Sequence, residues 1–325
     1  MDFLGLFQDN EAMLSGMAAA LVILGALATV GRNFLLRILG FSEGDKTLSL
    51  TELSSPSPFP IEFAQSKGVN IAYNVQGKDE PTLLVSPGII SNLHVSSNLP
   101  PIKNTMESLA KFSRVINFDK RGQGLSDPVS NVATISERVR DIESVANATD
   151  SEQFYLMGIS EGGPMSVQFA VENPDRVAGL ILFGTTPRFS RSEDYAIGLS
   201  ERALDSVGTN WGEAVARDIL FPSISRQVMD DETYRGFERL LADRRSIIQI
   251  VEYMKTLDVR DLLADIKCPT LVIHFSGDLA VPLRMGRYLA DHIPKAEFLE
   301  IAGVDHCDLG NAPKAIEAIR AFMGS

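Results

Sequence analysis

The segment 158–162 has the sequence GISEG, which matches the spacing G-x-S-x-G of a sharp turn that presents a nucleophilic serine. The apolar residues 154–157 before it predict a buried strand, and residues 163–170 after it predict a helix. Pro164 stands in the first helical turn, where a missing N–H costs little. This context favours Ser160 as a nucleophile over the alternative of an ordinary tight turn.

A serine hydroxyl needs a base to take its proton and a third group to orient that base. The histidines of the chain are His94, His274, His292 and His306. His274 lies in an apolar strand pattern, His292 lies in a surface-helix pattern, and His94 precedes the serine, where the base is not expected. His306 follows the predicted strand 296–301 on a loop, so we predict that His306 is the base.

The acid that orients the base is predicted on the loop after the preceding strand, 270–275. Asp278 stands at the end of that strand and would accept the Nδ1–H of His306. The alternative is a turn aspartate beside Gly277.

The negative oxygen that forms when a serine attacks an acyl group needs two N–H donors. The backbone N–H of Glu161, directly after the serine, is the first candidate. The second comes from the loop that follows an early strand within residues 82–90, where we predict the N–H of Ile89. Ile89 and Ile90 could equally form an apolar pocket wall.

Strands alternate with helices along most of the chain, which predicts an α/β fold with a mostly parallel sheet covered on both faces. Residues 188–261 interrupt this alternation with a long helical pattern, far longer than a normal crossover. We therefore predict a helical cap over the site. The predicted substrate-binding residues are Ile90, His94, Trp211, Phe221 and Tyr253.

Several motifs together resemble the α/β-hydrolase superfamily over residues 65 to 323. Residues 119–126 fit D-x-R-G-x-G-x-S after a strand, and residues 268–282 resemble the strand and loop that carry the acid. The resemblance implies an eight-stranded, mostly parallel sheet, a core of residues 61–187 and 262–325, and a Ser-Asp-His triad without a metal or cofactor. The usual His-Gly of the oxyanion loop is Pro87-Gly88 here.

A narrower resemblance points to hydrolase domains that are joined to class III adenylate cyclases. It rests on residues 118–122, 158–165, 258–263 and 285–290. No cyclase domain fits in this chain.

The N-terminal segment 1–46 contains an uncharged apolar stretch over residues 12–31, long enough as a helix to span roughly 30 Å. Arg32 and Arg37 follow it, and acidic residues precede it, so the positive-inside rule predicts a membrane anchor with the catalytic domain in the cytoplasm. The alternatives are a buried helix, a helix that forms a homodimer, and a cleaved secretory signal.

A Ser- and Pro-rich stretch over residues 47–60 predicts a semi-rigid linker. The net charge of −12 argues against nucleic acid as a partner. The two cysteines, Cys268 and Cys307, favour a reduced pair, and no cysteine–histidine cluster has the spacing of metal ligands.

These observations predict a serine carboxylesterase that acts on a small-molecule ester, is anchored in the membrane and needs no cofactor. The same triad could instead serve a lactonase, thioesterase, amidase or C–C bond hydrolase. The third hypothesis is a binding or signalling module without catalytic activity.

Overall fold

The computed structural model describes residues 47–77 and 80–324 of the chain. The predicted hydrophobic helix over residues 12–31 lies outside the described residues, as do the anchor, homodimer and orientation predictions that depend on it. Among the helices of the described part, none is long and apolar enough to cross a membrane.

A single sheet of eight strands organises the described part of the chain. The strands are β1 (Glu62–Ser66), β2 (Val69–Gln76), β3 (Thr82–Ser86), β4 (Arg114–Phe118), β5 (Phe154–Ile159), β6 (Val177–Phe183), β7 (Thr270–Phe275) and β8 (Ala296–Ile301). Their order in the sheet is β1-β2-β4-β3-β5-β6-β7-β8. β2 pairs antiparallel with β1 and with β4, and every other pair is parallel. This confirms the predicted mostly parallel, eight-stranded α/β-hydrolase sheet.

Helices cover both faces of this sheet. The helices are α1 (Leu50–Leu53), α2 (Leu93–Ser96), α3 (Pro100–Leu109), α4 (Ile135–Ala148), α5 (Gly162–Glu172), α6 (Glu201–Thr209), α7 (Arg217–Leu220), α8 (Asp231–Leu241), α9 (Arg244–Thr256), α10 (Leu283–His292) and α11 (Pro313–Phe322). Successive strand residues point to opposite faces. Leu156 therefore packs in the core with α4 and α5, while its neighbour Met157 packs with α3 and α11.

The predicted cap lies between β6 and β7 and contains α6 to α9. Its two ends meet where Arg188 forms a β-bridge with Asp258, and the Arg188 guanidinium lies 2.7 Å from the Asp258 carboxylate. Arg260 joins this cluster at 2.8 Å from Asp258 and 2.8 Å from Asp194. Charged side chains thus hold both ends of the cap together at the edge of the core.

The stretch that we predicted as a linker packs against the cap. The helix α1 begins with a capping box between Ser49 and Glu52, and Leu53 at its end is fully buried. Leu53 belongs to the same apolar cluster as Phe237 of α8, and the Leu48 N–H donates to the carbonyl of Val228 at 2.7 Å. A composition rich in Ser and Pro does not indicate that Leu48 and Leu53 pack against the cap.

Candidate active site

The serine turn joins β5 to α5, and Ser160 has a φ of +52° there. Only a few per cent of non-glycine residues adopt this left-handed region, and such strain persists where the surroundings enforce it. The Ser160 N–H donates to the Phe183 carbonyl at 3.0 Å, and the Thr185 hydroxyl donates to the Ser160 carbonyl. The end of β6 therefore holds the strained serine from both sides.

The glycines of the turn are required by close packing. A Cβ on Gly162 would overlap the carbonyl oxygens of Ser86 and Pro87, and a Cβ on Gly163 would overlap the Thr185 side chain. The serine turn consequently sits directly against the end of β3, where the predicted oxyanion loop begins.

A buried carboxylate and a buried histidine meet beside this turn. His306 Nδ1 lies 2.7 Å from Asp278 Oδ2, and both side chains are almost fully buried. The other oxygen, Oδ1, accepts the N–H groups of Ala280 at 2.8 Å and Val281 at 2.9 Å. Asp278 is thereby fixed in orientation, and its position requires the proton of His306 on Nδ1.

Ser160 and His306 both lie close to the segment that follows β6. Gly184 has a φ of +54°, and a Cβ there would lie 3.3 Å from His306 Cε1. The preceding residue, Phe183, binds the Ser160 N–H. His306 Nε2 is buried and has no hydrogen-bond partner in residues 47–77 or 80–324. An imidazole held in this way can accept a proton from a hydroxyl.

The loop that carries His306 is bound to the cap. The His306 N–H donates to the carbonyl of Leu220 at 2.9 Å. Its neighbour Asp305 accepts the Ser223 N–H at 2.9 Å and also accepts the Ser223 hydroxyl. The cap therefore helps to set the position of His306.

A second histidine supports the carboxylate, and the sequence analysis assigned it to the core. His274 is fully buried in β7, as expected, but its Nε2 lies 2.6 Å from the Val281 carbonyl and 3.6 Å from Asp278 Oδ2. A carbonyl only accepts, so Nε2 carries the proton. Burial lowers the pKa of His274, which keeps the ring neutral. His274 therefore helps to hold the loop of Asp278 in place. The apolar pattern of a strand does not predict such a contact.

The predicted oxyanion segments meet at the serine. A Cβ on Gly88 would lie 3.3 Å from the Ser160 Cβ, so the loop with Ile89 approaches the serine closely. Glu161, whose N–H is the other candidate donor, forms the N-cap of α5. The buried Lys120 contacts both segments, and the sequence analysis did not single it out.

Two of the predicted pocket residues lie between the core and the cap. Ile90 is half-buried and packs, like Ile89, against the apolar cluster of α9. Tyr253 of α9 is half-buried in the same cluster, and the guanidinium of Arg138 lies 4.4 Å from its ring centroid. These contacts bring both side chains to the cap-facing side of the oxyanion loop.

The other three predicted pocket residues have hydrogen-bond or packing partners within the protein. The Trp211 indole N–H lies in the cap and donates to the carbonyls of Glu238 at 3.0 Å and Ala242 at 2.8 Å. Phe221 is buried in the cluster that holds α1. The His94 Nδ1 accepts the N–H of Ser57 at 3.0 Å. A role for these three side chains in substrate binding stays a prediction.

No group of three or more histidine, cysteine, aspartate or glutamate side chains in the described residues is arranged to hold a metal ion. Cys268 and Cys307 are both free.

Comparisons with known proteins agree with this architecture. The karrikin insensitive 2 receptor IA of Petunia hybrida is 24% identical over 258 residues, which cover 75% of this chain and 90% of that protein. A 2-hydroxy-6-oxononadienedioate/2-hydroxy-6-oxononatrienedioate hydrolase of Cupriavidus pinatubonensis is 27% identical over 222 residues, or 65% of this chain and 74% of that protein. A bromoperoxidase structure from Bacillus anthracis shares the fold, with a TM-score of 0.70 and 19% identity over 82% of this chain and 100% of that one.

The family model described as serine aminopeptidase, S33, matches residues 101–310, which include the serine turn, the cap, Asp278 and His306. The superfamily predicted from the motifs is thus confirmed, and the chain belongs to the serine aminopeptidase S33 family of α/β-hydrolases.

Proposed function

We propose that this chain is a serine esterase that hydrolyses carboxylic esters through an acyl-enzyme, with Ser160, His306 and Asp278 as its triad. The observation that carries the proposal is the buried 2.7 Å hydrogen bond between His306 and Asp278, which leaves His306 Nε2 without a partner among the described residues beside a strained serine. Because no described residue binds this nitrogen, it is available to accept a proton.

In the proposed reaction, Ser160 Oγ attacks the acyl carbonyl while His306 Nε2 takes the hydroxyl proton. The N–H groups of Glu161 and Ile89 bind the resulting oxyanion. His306 then gives the proton to the leaving alcohol, and the acyl group stays on Ser160. A water molecule, deprotonated by His306, attacks the acyl-enzyme, and His306 returns that proton to Ser160 Oγ as the bond to the acyl group breaks and the acid is released.

The same residues could cleave a lactone, a thioester, an amide or a C–C bond next to a carbonyl. The similarity to a C–C bond hydrolase of Cupriavidus pinatubonensis supports the last of these as a second candidate. The similarity to a plant receptor supports a binding role as the third candidate. An ester is favoured over an amide or a C–C bond because an alkoxide leaves more readily than an amide anion or a carbanion.

A substrate panel tests the choice. We expect the purified chain to hydrolyse p-nitrophenyl esters of increasing acyl length at rates far above those for lactones, thioesters and vinylogous 1,5-diketones. Turnover of the diketones alone would establish the second candidate. A chain that turns over nothing and whose Ser160 resists a fluorophosphonate probe would refute the proposed function.

The pH dependence of this hydrolysis follows from the surroundings of His306. Burial lowers the pKa of His306, but the attraction of the Asp278 carboxylate, together with interactions with Cys307, outweighs burial and raises it well above the usual value. Only the neutral imidazole acts as a base, so kcat/KM should fall on acidification at a pH above about 6.5. A pH series with one p-nitrophenyl ester measures this limb, and a limb at or below pH 6.5 would contradict the assignment.

Two finer predictions remain proposals. One is the anchoring of the enzyme in the membrane through residues 12–31, with the catalytic domain in the cytoplasm. The other is the narrower resemblance to hydrolase domains joined to class III adenylate cyclases.

A further inference from the structure

Three buried charges lie beneath the two predicted oxyanion donors. Lys120 Nζ forms an ion pair with Glu161 Oε2, and Arg138 Nη1 lies 3.0 Å from Glu161 Oε1. All three side chains are less than 5% exposed. Even a paired buried charge often adds little net stability, because desolvation offsets the attraction, so the presence of these charges next to Ser160 indicates a role beyond stability.

Lys120 also binds the loop that carries Ile89. Its Nζ donates to the Gly88 carbonyl at 2.6 Å. In a trans peptide the C=O of one residue and the N–H of the next point in opposite directions. The contact on the Gly88 carbonyl therefore directs the Ile89 N–H away from Lys120, within a loop that touches Ser160.

The other predicted donor is the backbone N–H of Glu161 itself. Its side chain is held from both sides, by Lys120 and by Arg138, so its backbone has little freedom to turn. Lys120 thus contacts both donor segments.

The charges also favour an oxyanion. Lys120, Arg138 and Glu161 together carry a net charge of +1 while Lys120 is protonated and Asp119 is neutral, and a fixed positive charge stabilises developing negative charge. Burial lowers the pKa of Lys120 to about 8 although Glu161 opposes this shift. Asp119, on the same strand end, also faces Lys120, and burial raises its pKa to about 7.

We propose that Lys120 is a positioning residue of the oxyanion hole, which aligns the N–H groups of Ile89 and Glu161 by binding the Gly88 carbonyl and the Glu161 carboxylate together. This inference rests on the proposed acyl-transfer function. It predicts that Lys120 acts on the transition state and not on substrate binding.

The test compares Lys120→Met with a matched control, Arg121→Met. Arg121 is the next residue, is similarly buried and pairs with Asp141 and Ser66, away from the oxyanion segments. The measurements are kcat, KM, and the inhibition constants of a trifluoromethyl ketone and its methyl ketone counterpart. The fluorinated ketone captures Ser160 Oγ as a charged hemiketal, whereas the methyl ketone reports binding in the ground state.

We expect Lys120→Met to lower kcat about 100-fold with little change in KM, as for the loss of one oxyanion donor. The trifluoromethyl ketone should weaken by a similar factor, while the methyl ketone should not. Equal effects in Arg121→Met and Lys120→Met, at matched folded fractions, would overturn the inference and leave the proposed function intact. A wild-type chain that neither hydrolyses esters nor binds the trifluoromethyl ketone through Ser160 would refute both.

A second measurement keeps Lys120 and titrates it, so its outcome does not depend on whether Lys120→Met folds. Loss of the Lys120 proton should weaken the wild-type enzyme above pH about 8, and Glu161, Arg138 and Asp119 are the charged groups that face it. The alkaline limb should persist in Asp119→Asn. Its disappearance there would overturn the inference.

Discussion

Ser160→Ala lowers the kcat for ester hydrolysis by about 10⁶-fold, the expected loss when a triad serine is removed from a site whose other parts remain. The reason is chemical, because the side chain of alanine offers no oxygen for attack and no proton for His306 to take. The measurement is hydrolysis of the best p-nitrophenyl ester by wild type and variant. Residual activity within about 100-fold of wild type would show that another residue carries the reaction.

The matched control for this prediction is Ser160→Gly, which is equally inactive but relieves the backbone. Ser160 has a φ of +52°, a region that costs a residue with a Cβ about 1 to 3 kcal/mol and glycine almost nothing. After the greater chain entropy of unfolded glycine is subtracted, Ser160→Gly should be more stable than Ser160→Ala by roughly 1 kcal/mol. Denaturant unfolding of both variants separates the loss of chemistry from a loss of fold.

Asp278→Asn lowers kcat by about 10⁴-fold, since an asparagine amide can donate to Nδ1 and thereby favour the wrong tautomer of His306. The loss of the carboxylate also removes the attraction that raises the pKa of His306. The acid limb of kcat/KM should therefore move to lower pH in this variant. A complete pH–rate profile checks both effects in one experiment.

Asp308→Asn serves as the control for Asp278→Asn. Asp308 is also buried and close in sequence to His306, but it pairs with Asn311. We expect its variant to keep kcat within about tenfold of wild type and to leave the acid limb in place. An equal loss in both variants would show that Asp278 has no special role.

The sequence predicts the central sheet well because its strands are buried on both faces. Continuous apolar runs such as 180–183 and 271–273 identify β6 and β7 directly. The sequence pattern does not predict the edge strand β1, because this strand is not buried on both faces. Its residues alternate weakly and Phe63 is 54% exposed, so no buried pattern marks it.

The hydrogen bond between Asp278 and His306 was also predictable, because each residue follows a recognisable strand and parallel strands end at one edge. The contacts of Lys120 and His274 were not. Both depend on segments far apart in sequence, which meet only after the sheet has formed. For Trp211 and Phe221, aromatic size predicts burial, but it does not say in which cluster a side chain is buried.

The bonds from Leu220 and Ser223 to the loop of His306 limit how this enzyme could be re-engineered. The substrate specificity of an enzyme with a cap is often altered by exchanging the cap while the catalytic residues stay unchanged. Here such a graft would replace the carbonyl that holds the His306 backbone and the hydroxyl that holds Asp305. A chimera would keep its reactivity only if residues 217–225 and 302–309 were transferred as one unit. Under the proposed function, the cap and the loop of His306 therefore have to change together.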